Sequence, residues 1–264
     1  MDSTPIFLFA LSAITAFGTG LYLKHTYAIS RRWSQAKGDE GESYASQLLD
    51  DVGCYDRLEG LVIGDGALET MAEVDALVKA PACLINVETK NWSGLITPGE
   101  EFWEIEYANG NKVTRKSPLR QAHRQSSVIA SHYPGVPVET LVLMVGRARF
   151  KDGYIPAGVC TKATLGHEVR KMFATEATDL QKAAADYQWA RIVDWAFDAK
   201  ADERAETYKE RLERKYGQRR WESWYRFALY TIGLGMVAVL LLEQAYLAGR
   251  SGVILPARSF LDLL

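Results

Sequence analysis

Asn86-Val87-Glu88-Thr89-Lys90 closes an otherwise apolar run that begins at Cys83. A short run of this kind, following the breaker Pro81, reads as a strand. Residues two apart in a strand share a face. Glu88 and Lys90 therefore point the same way, with Leu84 and Asn86 behind them, while Ile85, Val87 and Thr89 point toward a core. A carboxylate and an ammonium on such a strand are expensive to bury unpaired. Asp75 interrupts the preceding apolar strand in the same manner, within Val74-Asp75-Ala76-Leu77-Val78.

Working outward, Ser34 caps a helix that runs to about Val52, with Tyr44, Ala45, Leu48, Leu49 and Val52 at helical spacing. Leu58–Ile63 reads as a strand closed by the turn Gly64-Asp65-Gly66, and Glu73–Lys79 as the next. Gly94 marks a turn. Phe102–Tyr107 and Lys112–Lys116 form a hairpin through Asn109-Gly110, a strong local signal. Pro118 suits the first position of a helix reaching about His132. Val138–Val145 is nearly all apolar, as expected of a strand covered on both faces. Tyr154–Lys162 reads as a further strand. From Thr178 to Tyr225 the pattern is helical, with Ala183, Tyr187, Ala190, Val193 and Phe197 as an apolar stripe. Strands and helices mix in one domain, so the expected class is α/β, with an α+β mixed sheet.

Two carboxylates on adjacent strands suit a hard cation such as Mg²⁺ or Mn²⁺. Asp75 and Glu88 are the expected metal ligands and Glu42 a third carboxylate. Such an ion stabilises charge on a phosphoryl oxygen, and a neighbouring lysine, here Lys90, adds to that. The alternative is a plain ion pair of Lys90 with Glu88 or Asp75 and no metal. Arg115, Lys116, Arg120 and Arg124 gather around the helix after Pro118 and are the candidate phosphate-binding residues. A solvated helix face explains them as well.

The ordered motifs around these residues narrow the choice. Gly38-Asp-Glu-Gly41-Glu42, Glu73-Val-Asp75, Glu88-Thr-Lys90-Asn-Trp92-Ser-Gly94 and Ser117-Pro118-Leu-Arg-Gln121 together resemble the nuclease-related (NERD) domain, a branch of the PD-(D/E)xK nuclease superfamily. The resemblance covers about residues 34–150. It implies a restriction-endonuclease-like core, a small mixed sheet with helices on both faces. It implies Asp75 and Glu88 as metal ligands, assisted by Glu42, with Lys90 catalytic. It implies Gln121 orienting groups at the site, with Trp92 and Gly94 shaping the adjoining turn. Two positions depart from the pattern, Ser117 in place of Asn and Thr89 in place of an apolar residue; neither removes a ligand. The implied activity is metal-assisted phosphodiester hydrolysis of DNA, ahead of RNA. The alternative is a catalytically inactive nuclease fold serving as a nucleic-acid-binding or scaffolding module.

The ends of the chain carry a separate expectation. Ile6–Leu23 and Phe227–Leu242 lack charges, and basic residues (Lys24, Arg31, Arg32; Arg219, Arg220, Arg226) flank the inner side of each. Transmembrane helices at 5–23 and 227–248 are expected, by length and by the positive-inside rule. A cleaved leader for the first and a buried or interfacial helix for the second are the alternatives. This organisation makes a multi-pass protein of a bacterial inner membrane, with lipid as a partner and the domain at 34–150 in the cytoplasm. An accessory strand and helix occupy 151–176. A long membrane-proximal helix occupies 177–225, through which a homo-oligomer would form.

The 264 residues carry a net charge of −2, so any nucleic-acid contact must come from a local patch. The three cysteines form no CxxC pair, which argues against both a disulfide framework and a zinc ribbon. The four histidines have no zinc spacing, and no nucleophile elbow occurs.

Overall fold

The computed structural model describes residues 36–215 and Gly235. Trp33–Glu213 form one compact unit.

Among the described residues nine strands make two sheets. The first runs β1 (Arg57–Ile63), β2 (Ala72–Lys79), β3 (Leu84–Lys90), β7 (Val138–Met144) and β9 (Val159–Thr161). β1, β2 and β3 pair antiparallel in sequence order, whereas β3–β7 and β7–β9 are parallel. The second sheet has the order β6 (Lys112–Lys116), β5 (Phe102–Glu106), β4 (Gly94–Thr97), β8 (Ala148–Phe150). Five α-helices accompany them: α1 over 36–51, α2 (Pro118–His132), α3 (Leu165–Phe173), α4 (Asp179–Ala196) and α5 over 201–215.

Both faces of the first sheet are covered, which is why its central strands are apolar throughout. On one face Ala45 and Leu49 of α1 and Leu165 and Val169 of α3 pack against Ile85, Val87, Leu141 and Leu143. On the other, Val128 and Ile129 of α2 and Ala185 and Ile192 of α4 cover Leu61, Val74, Leu77 and Leu84. Beyond them Ile96, Trp103 and Ile105 of the second sheet lie against Val142 and Met144.

The first sheet opens between β2 and β3. Their ladder runs from Lys79↔Leu84 to Ala76↔Val87 and stops, although β3 continues to Lys90. The apolar period also breaks there. Leu58 and Leu61 on β1, and Val74 and Leu77 on β2, are three apart yet line one cluster. Gly60, at φ 60°, sits at this break in β1 and takes a backbone conformation costly for other residues. Asp75 sits at the corresponding place in β2.

The strands expected from periodicity are present, the one over Tyr154–Lys162 only as the three residues of β9. β4 and β8 are additional: Gly94 opens a strand rather than only a turn, and the two pair with each other. The expected long helix over 177–225 is corrected. It breaks after Ala196, where Phe197 closes α4 and Arg204 of α5 binds the Asp198 carboxylate through both oxygens at 2.8 Å. The stripe read on it is not the core face: α4 buries Ala185, Gln188 and Ile192, and leaves Tyr187 and Phe197 exposed. The expected transmembrane helices at 5–23 and 227–248 lie outside the described residues. Among the described residues no helix is long and apolar enough to cross a membrane. A multi-pass membrane protein is therefore not supported, and neither is the inner-membrane placement built on it.

Candidate active site

The site forms where β2 and β3 part. Beyond Val87 the backbone N–H of Thr89 has no β2 carbonyl to meet, and the Asp75 carboxylate accepts from it instead, Oδ2 at 2.7 Å. Asp75 is thereby drawn toward β3, beside Glu88. Glu88 is fully buried and faces α2. Its Oε1 pairs with the Lys90 ammonium, and its Oε2 accepts from Gln125 Nε2 at 2.7 Å. Lys90 has 19% of its side chain exposed against 1% for Glu88, so the pair lies with the lysine at the mouth and the carboxylate beneath.

Gln125 anchors this arrangement. Its Nε2 also donates to the Glu73 carbonyl at 2.8 Å, and its Oε1 accepts from Asn86 Nδ2 at 3.2 Å. Asn86 Nδ2 further donates to the Ala122 carbonyl (2.9 Å) and to Ser126 Oγ (3.1 Å), and Ser126 bonds Thr140 at 2.8 Å. This buried polar network on the inner side of α2 holds Glu88 through Gln125, and it leaves the buried Asn86 Oδ1 without a partner among the described residues.

α1 brings the third carboxylate. Gly41 faces Asn91 so closely that an added Cβ would sit 2.7 Å from Asn91 Cβ. Asn91 Nδ2 also donates to the Lys37 carbonyl at 2.9 Å. Only glycine lets the helix approach the end of β3 this tightly, and the next residue on it is Glu42. On the far side Trp92 packs edge-on against Trp103 with ring centres 6.1 Å apart, and Trp103 against Phe150 at 6.0 Å. This aromatic row joins the strand end to the second sheet.

Electrostatically the site holds more negative charge than positive. Burial pushes the Glu88 carboxyl up to about 7, with Asp75 adding to the rise and Lys90 opposing it. Burial also raises Asp75, against the pull of Lys90 and the Thr89 N–H. Glu42 is raised by burial, then by repulsion from Asp75, Asp39 and Glu73. Glu73 is raised by burial and by Asp75. Four carboxylates thus share one neighbourhood with Lys90. As oxygen donors Asp75, Glu88 and Glu42 match the chemistry a hard divalent cation requires, and their mutual repulsion is what such an ion offsets. No three of them are drawn into a ligating cluster among the described residues.

The expected residues divide as follows. Asp75, Glu88, Lys90 and Glu42 act on one another electrostatically. Gln121 is exposed, one helical turn before Gln125, and the residue bonded to Glu88 is Gln125. The sequence carries a signal for this: Pro118, Ala122, Gln125 and Ile129 recur at helical spacing on the buried face, and Gln121 falls off it. Glu73 and Asn86, each within or beside the motifs that carry the resemblance, join the site by contact. Of the basic group, Arg120 pairs with Glu101 and Arg124 donates to the carbonyls of Leu68 (2.9 Å) and Met71 (3.0 Å). Arg115 and Lys116 are exposed on β6.

Comparison with known families meets this geometry at the same place in the chain. Residues 37–145 match the family model of the nuclease-related domain, NERD. The match begins beside Gly38 and ends at Val145, whose N–H donates to the Lys90 carbonyl at 3.1 Å. It therefore spans Glu42, Asp75, Glu88, Lys90 and Gln125, and suggests a nuclease-related function. No curated protein and no solved structure matches the chain.

Proposed function

We propose that the chain is a metal-dependent nuclease that hydrolyses phosphodiester bonds, in DNA ahead of RNA. The observation that carries this is the juxtaposition of Asp75 and Glu88 at the parting of β2 and β3, buried, mutually repelling and balanced by Lys90 at the strand end. Buried carboxylates held above their ordinary range mark sites built for chemistry.

Asp75, Glu88 and Glu42 would hold Mg²⁺ or Mn²⁺. When bound, the ion supplies Lewis-acid stabilisation of phosphoryl charge. Gln125 fixes Glu88 through Oε2, so that Oε1 is the edge turned to the mouth. Lys90, at that mouth, neutralises charge developing on the phosphate. Asp75 is kept in register by the Thr89 N–H. The Trp92–Trp103–Phe150 row ties the end of β3 to the second sheet.

A second reading is favoured by one observation. Lys90 is already paired with Glu88, as in a fold that retains the site and binds nucleic acid without turnover. One experiment separates the two. The purified full chain is incubated with Mg²⁺ or Mn²⁺ and a panel of supercoiled, linear duplex, single-stranded DNA and RNA. Cleavage that Lys90→Ala abolishes supports the nuclease. An intact panel at high protein concentration, with DNA still bound, supports the second reading.

A further inference from the structure

We propose that α5 forms one wall of the cleft and that Lys209 on it grips a backbone phosphate of the nucleic-acid substrate. The inference rests on the nuclease reading and adds to it a binding group from outside the matched domain.

Tyr208 fixes α5 in place. Its side chain is 7% exposed and packs with Val62 and Met71, with Leu68, Ala205 and Leu212 around them. On the same spot Arg124 of α2 donates to the carbonyls of Leu68 and Met71, at 2.9 and 3.0 Å. The carbonyl of Glu73 accepts from Gln125, the residue that holds Glu88. Met71, on which α5 packs through Tyr208 and Arg211, lies two residues before Glu73, so α5 sits beside the start of the strand that carries Asp75. Lys209, next along the helix, is exposed, and its charge acts on Glu73.

A cleft lined by Glu42, Glu73, Asp75 and Glu88 repels a polyanion unless cations stand at its rim. The basic residues of α2 are committed elsewhere, Arg120 to Glu101 and Arg124 to two carbonyls. Lys209 is an exposed cation on the helix packed over Met71, and its charge reaches Glu73. Arg211, half-buried two residues on, bonds Met71 Sδ at 3.4 Å, a weak acceptor that an incoming phosphate outcompetes.

The test is a fluorescence-anisotropy titration of the full chain with labelled duplex and single-stranded DNA across a range of KCl concentrations. Removing one cation from a phosphate makes the plot of log affinity against log salt shallower by about 0.7–0.9. Lys209→Gln is expected to lower the slope by that amount at an unchanged thermal midpoint, and Lys209→Arg to keep it. In the cleavage assay Lys209→Gln raises KM about threefold with kcat little changed. An unchanged slope overturns the proposal, whatever happens to the midpoint. If the wild type binds but does not cleave, the nuclease reading fails and the slope still decides Lys209. If it cleaves and the slope does not move, Lys209 fails alone; if it neither binds nor cleaves, both fail.

Discussion

Replacing Lys90 by Met removes one charge and keeps most of the stem. The buried Glu88 then has Gln125 but no cation. In the wild type Glu88 sits near 7, against an ordinary 4.5. A raised carboxyl favours the folded state at low pH, and that advantage is lost as pH climbs from 4.5 through 7. At about 1.4 kcal/mol per pH unit, ionised Glu88 already costs the wild type roughly 3 kcal/mol at pH 8. Without Lys90 the carboxyl keeps its proton instead, and the cost is capped by the distance from 4.5 to 8, roughly 5 kcal/mol. The variant should therefore lose stability at pH 8, on the order of 1 kcal/mol, and more if Asp75, which Lys90 also holds down, responds with it. At pH 6 Glu88 is protonated in both proteins and the loss should nearly vanish. Urea midpoints of wild type and Lys90→Met at the two pH values, in chelator, measure this. An equal loss at pH 6 and pH 8 would refute the reasoning, because it would assign Lys90 to packing rather than to the carboxylate.

Mg²⁺ should raise the stability of the wild type to urea at pH 8 by about 2.7 kcal/mol at a hundredfold excess over its dissociation constant. The gain should shrink at pH 6, where protons compete, and disappear in Asp75→Asn; a gain that survives Asp75→Asn places the ion elsewhere. Gly41→Ala should cost about 1–3 kcal/mol, since its Cβ meets Asn91 at 2.7 Å. Asn91→Gly in the same chain should return most of that, and thermal melts of the single and double variants show whether it does. Burial pushes Cys54 and Cys83 up to about 11 and Cys160 to about 12, so a thiol reagent at pH 8 should label the native chain slowly and the urea-unfolded chain at once.

The part of the fold legible in sequence was the part governed by period and punctuation. β1, β2, β3, β7 and α2 follow from apolar runs and from Pro118, and the β5–β6 hairpin from Asn109-Gly110. β4 and β8 were not legible, because each is only a few residues long and exists by pairing across the chain. The break after Ala196 depends on Asp198 meeting Arg204, a contact that periodicity does not encode. At the site, the strand positions of Asp75, Glu88 and Lys90 came from alternation and their roles from resemblance. Gln125 was hidden by the motif itself, which drew attention to Gln121 although only Gln125 lies on the buried face. Lys209 could not be seen at all, since nothing local ties α5 to Glu73.

The carboxylate that takes the place of a missing sheet hydrogen bond has a consequence for reading such sequences. Asp75 satisfies the Thr89 N–H whether or not any ion ever binds. A relative of this chain that performs no hydrolysis would still need an acceptor there to close the sheet. The aspartate would then outlive the reaction, and its presence in a sequence would testify to architecture before chemistry. An Asp75→Ala variant would open a backbone donor as well as remove a proposed ligand. Asp75→Asn, which keeps an acceptor oxygen, is the substitution that separates the proposed chemistry from the scaffold.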